Sequence, residues 1–80
     1  MARVAEDDAK AIVTMMVTKG VKPGAPYENS MLVQNAVWLG IEGPDLDSAM
    51  SFAVQQGWIE NGPKDTTVLT PAGYTAGQPT

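Results

Sequence analysis

Residues 57–74 read Gly57-Trp58-Ile59-Glu60-Asn61-Gly62-Pro63-Lys64-Asp65-Thr66-Thr67-Val68-Leu69-Thr70-Pro71-Ala72-Gly73-Tyr74, and along them the pattern changes twice. Trp58 to Glu60 and Thr66 to Thr70 are short β-compatible runs, separated by the breaker-rich Asn61 to Asp65. That arrangement predicts a hairpin with a five-residue turn, with Ile59 and Leu69 facing inward. Gly57 has the residue type and position of a helix C-terminal cap, so a helix ends just before the hairpin. Thr70-Pro71 is a start signal for a short last helix over Ala72 to Ala76.

Upstream of Gly57, Leu46, Ala49, Met50 and Ala53 recur at helical spacing. Pro44 stands at the entry of this helix, and Asp45 and Asp47 lie in its first turn, where the helix dipole favours anions. Before the break at Gly40 to Pro44, a second helix runs to about Leu39, with Asn29 or Ser30 as its cap. Leu32, Ala36 and Leu39 form its inner stripe, Val33 and Val37 lie to one side, and Met31 and Trp38 lie on the outer side with Gln34 and Asn35. A first helix over Val4 to Thr18 turns Ala5, Ala9, Ile12, Val13 and Met16 to one face. It ends at Gly20, and Val21 to Tyr27, with Lys22-Pro23-Gly24 and Pro26, reads as a loop.

The chain has 80 residues, enough for one domain over 1–80, with 77–80 expected as a disordered tail. Five Lys+Arg against nine Asp+Glu give a net charge of −4, which disfavours non-specific attraction to nucleic acid or to an anionic membrane. Cysteine and histidine are absent, so thiolate metal sites, Cys nucleophiles and His acid–base chemistry are excluded. No glycine-rich phosphate-binding loop is present. An enzyme, a metal or a cofactor is therefore not expected. No apolar run is long enough to span a bilayer, and Met1 to Asp8 is too acidic for a signal peptide, so a cytoplasmic protein without membrane contact is expected.

The phrase Gly57-Trp58-Ile59-Glu60, a turn, then Leu69-Thr70-Pro71-Ala72-Gly73-Tyr74 resembles the corresponding part of winged-helix domains, and the likeness extends from about Leu32 to Ala76. The resemblance implies an α+β fold: a three-helix bundle, a C-terminal β-hairpin wing and a short terminal helix. It also implies a transcriptional regulator that lays its third helix in the major groove of duplex DNA. On that reading Ser48, Ser51 and Gln55 face the bases, while Lys64 at the wing tip, Lys19 and Lys22 meet phosphates. Of the outward positions of the third helix (Asp45, Asp47, Ser48, Ser51, Phe52 and Gln55), none is cationic, which departs from the family's DNA-binding pattern. The alternative is a protein-interaction module, contacting a partner or a second copy through Met31, Trp38, Asp47 and Phe52, with Ser51 beside them.

Overall fold

The computed structural model describes residues 4–78 as a small α+β domain of four helices and one antiparallel three-stranded sheet. In chain order the elements are α1 (Ala5–Thr18), β1 (Pro26–Glu28), α2 (Asn29–Trp38), α3 (Pro44–Gln55), β2 (Ile59–Gly62), β3 (Thr66–Leu69) and α4 (Pro71–Ala76).

Three helices end in the same way, and their sequence shows why. After α3, Gly57 adopts φ +75°, and the amides of Gly57 and Trp58 donate to the carbonyls of Val54 and Ala53 at 3.0 and 2.9 Å. This is a Schellman motif, and it requires a left-handed residue that glycine adopts without strain. The same pair of bonds closes α1 at Gly20-Val21 and α2 at Gly40-Ile41. In each case the apolar residue after the glycine folds back: Val21 and Ile41 are buried, and Trp58 packs on the core. Ile41 thus belongs to the core, not to a mere break between helices.

The core centres on α1, whose Ile12, Val13 and Met16 are fully buried, together with Leu32, Ile41 and Leu69. Helix α1 packs mainly on α3 and also on α4. Helix α2 contributes only Leu32 and Ala36 to the interior. Leu39, expected on the inner stripe, is instead exposed, because the helix ends at Trp38 and the chain turns away at Leu39.

The hairpin forms as expected, with Ile59 paired to Leu69 and Gly62 to Thr66, so its turn is the three residues Pro63, Lys64 and Asp65 rather than five. The sheet has a third strand that the loop expectation for Val21 to Tyr27 passes over. β1 pairs with β3, Tyr27 opposite Thr67, giving the order β1-β3-β2. Asn29, expected as a helix cap, does another job. Its amide nitrogen donates to Asp65 Oδ1 (2.8 Å), its amide oxygen accepts from the Thr67 hydroxyl (2.5 Å), and its backbone N–H donates to the Asp65 carbonyl (3.1 Å). The start of α2 is thereby tied to the hairpin.

The start of α4 is tied to the end of α3. Thr70 caps α4 by accepting from the Gly73 amide at 3.0 Å, donates its own hydroxyl to the Gly57 carbonyl, and donates its amide to the Trp58 carbonyl at 3.0 Å. Gly73 lies so close to this junction that a Cβ there would collide with the Trp58 carbonyl. Gly77, placed in the tail by sequence, is the buried C-cap of α4 and sits against the Val13 carbonyl. Residues 79 and 80 of the expected tail lie outside the described residues. Gly73→Ala should cost about 1–3 kcal/mol, because backbone rather than a flexible side chain blocks the added methyl. Chemical denaturation of the variant against the parent measures this, and an unchanged midpoint would refute the close packing.

Candidate functional site

On α3, Asp45, Asp47, Ser48, Ser51 and Gln55 are all exposed. Ser48, Ser51 and Gln55 follow one another at spacings of three and four, so they share one side of the helix. Together with Ala5, Asp47 and Phe52 they line a shallow open depression between α3 and the start of α1. The two aspartates occupy the first turn of α3, beside its positive dipole end.

Phe52 divides from the other candidate partner residues. Its ring is half-buried and meets Trp58 edge to face, with centroids 5.8 Å apart and planes at 66°. Such a contact anchors the end of α3 to the start of the hairpin. Trp38, by contrast, is 82% exposed and Met31 is 46% exposed. Seven residues separate them, two helical turns, so both stand on one side of α2. Val33, Val37 and Leu39 are exposed as well. Helix α2 carries no charged residue between Asn29 and Leu39, and its apolar side chains point in several directions. A helix apolar all round is normally buried. Composition alone would have flagged this, but the expectation that Leu39 lies inside concealed its extent. Of the polar residues of α2, Asn35 donates to the Tyr27 hydroxyl at 2.7 Å.

Three lysines sit on or just after α1: Lys10 and Lys19 line one groove, and Lys22 follows Lys19 by three residues. Lys22 lies near the base of the hairpin, where the Gly24 amide donates to the Leu69 carbonyl at 2.8 Å. Lys64 is at the tip, at the other end of β3, a strand of four residues and roughly 13 Å. Lys64 and Asp65 both have positive φ, 52° and 58°, uncommon for residues with side chains. Lys64 is followed by Asp65, whose carboxylate accepts from the Asn29 amide. Lys19 is exposed at the end of α1. Among the described residues no group of acidic side chains is placed to hold a metal ion, and no helix is long and apolar enough to cross a membrane.

No family model, curated protein or solved structure significantly matches the chain.

The two aromatic candidates should separate in stability. Trp38→Ser should change the unfolding free energy by no more than about 0.5 kcal/mol, because its ring is in water. Phe52→Ala should cost about 2 kcal/mol through loss of a half-buried ring. Equal losses in paired urea melts would show that Trp38 is structural.

Proposed function

We propose that the chain is a winged-helix module that acts by contacting protein rather than by gripping duplex DNA. The winged-helix part is supported by the element order, helix–strand–helix–helix–hairpin, by the β1-β3-β2 sheet, and by the short helix that follows. One observation carries the functional part. From Pro23 to Pro63, through β1, α2, α3 and β2, there is no Lys or Arg, while Glu28, Glu42, Asp45, Asp47 and Glu60 are acidic. Proteins hold DNA by neutralising several phosphates with cations, and this term dominates affinity. A helix pair of this charge repels the backbone it would have to straddle. The same pair exposes Met31, Val33, Val37, Trp38 and Leu39, a surface suited to an apolar partner rather than to phosphate.

The second reading, a DNA-binding transcriptional regulator, is favoured by the exposed row of Ser48, Ser51 and Gln55 on α3, since these side chains are able to address base edges. Lys64, Lys19 and Lys22 are the phosphate contacts this reading assigns, and none of them stands on α3.

An NMR titration with mixed-sequence duplex DNA at low salt separates the two. The expected outcome is no salt-sensitive shift at Ser48, Ser51, Gln55 or Lys64; concentrated shifts there that fade with salt would transfer the reading to DNA. In cells that make the protein, a photo-crosslinking amino acid at position 38 should form a discrete adduct with another protein, lost in the Val37→Asp background. Failure to form one would sink the interaction reading.

A further inference from the structure

The exposed side of α1 carries a pattern of which the two readings use Lys19 alone. Asp7, Ala11, Met15 and Lys19 are spaced by four and form one ridge along the helix. All four line a single open groove of about 590 Å³, together with Lys10, two threonines of α1 and Leu39, the residue that follows α2. The middle of the ridge is apolar, and its two ends bear opposite charge. Asp7 and Lys19 are exposed, while Ala11 and Met15 are partly covered.

We propose that this face docks a second copy of the same chain, α1 against α1, antiparallel about a two-fold axis. The ridge is self-complementary under that operation and under no parallel one. A two-fold axis passing near the level of Val13 sets position 7 against position 19 of the other copy, and position 11 against position 15. Each Asp7 then meets the partner copy's Lys19, twice over by symmetry, and each small Ala11 receives the partner copy's larger Met15. A parallel pairing would set like charge on like charge. Ridges of this i±4 type pack side by side when helices cross at roughly −50°, the commonest crossing in globular proteins. A two-fold contact uses the same patch on both copies, and a palindromic ridge supplies such a patch. Leu39, 45% exposed beside the groove, adds apolar area at each edge. Helix α1 is ~21 Å long, so the face is modest against the ~800 Å² per partner of a standard interface. A reversible dimer with a micromolar dissociation constant is the result expected. The proposal does not rest on the roles assigned to α2 and α3.

Sedimentation equilibrium of the full chain over micromolar to millimolar concentrations tests it. The parent should be a dimer that weakens as salt rises. Asp7→Lys and Lys19→Asp should each weaken it at least tenfold, by setting like charges together. The double variant carrying both changes should recover most of the loss. Mixing the two single variants should give a heterodimer tighter than either alone, because each 7–19 pair is then opposite in charge. Thermal melts establish that each variant is folded. Should a charge variant fail to fold, a second measurement uses the absence of native cysteine. Chains carrying Ala11→Cys, mixed with chains carrying Met15→Cys, should form a disulfide-linked heterodimer faster than either forms a homodimer. A monomer throughout, a dimer indifferent to the single swaps, a double variant no tighter than the singles, or no preference in the cysteine mixture would each overturn the proposal.

Discussion

Two residues, Gly57 and Trp58, hold the position of almost everything in the C-terminal half. The left-handed backbone of Gly57 turns the chain out of α3, and the Trp58 amide closes the helix on Ala53. The carbonyls of the same two residues then receive the hydroxyl and the amide of Thr70, so the far end of the hairpin returns to the place where it began. Thr70 in turn caps α4, and Gly73 fits against the Trp58 carbonyl because it has no side chain. The Trp58 ring braces Phe52 on the last turn of α3. A net ~1 kcal/mol per hydrogen bond is small, but here several bonds converge on one peptide and fix three elements together. A change at this junction moves the axis of α3, and with it the surface that α3 displays.

That surface is governed by where charge is absent. Phosphate affinity needs cations in a cluster, and the four lysines at 10, 19, 22 and 64 sit on α1, the following loop and the hairpin tip. None lies on α2 or α3, so the two helices that a DNA-binding winged helix would bring to the duplex present carboxylates, small hydroxyls and hydrocarbon. Helix α2 is the most unusual element. It gives only Leu32 and Ala36 to the core and, with Leu39 just after it, leaves five larger apolar side chains exposed. At ~25 cal/mol per Å² of apolar surface removed from water, covering even part of that area provides a substantial driving force for association.

Much of this was legible in the residues. The three glycines at 20, 40 and 57 mark the helix ends. The breakers between Glu60 and Thr66 mark the hairpin, and Thr70-Pro71 marks α4. What escaped was non-local. Pro26-Tyr27-Glu28 has two or three residues of strand character after a proline, and it becomes β1 only because β3, some forty residues on, offers it a free edge. Asn29 has a capping residue's identity, yet its amide is taken by Asp65 and Thr67 across the same gap in sequence. For the candidate surface, the winged-helix resemblance placed Ser48, Ser51 and Gln55 outward on the third helix, and all three are exposed. Helical spacing placed Trp38 and Phe52 each away from the inner stripe of its own helix; Trp38 is exposed there, whereas Phe52 is half-buried against the Trp58 ring.

The sequence by itself determined the helices, their ends, the hairpin, the exclusion of histidine and cysteine chemistry, and the cation-free run from Pro23 to Pro63. These depend on local backbone preference, on amphipathic period and on composition, all of which act within a few residues. Only the tertiary structure decided that β1 joins the sheet, that Leu39 is left outside while Ile41 goes in, and that Phe52 packs on Trp58. The physical reason is that burial and strand pairing depend on which surface arrives opposite a residue, and that is set by the packing of all the elements at once.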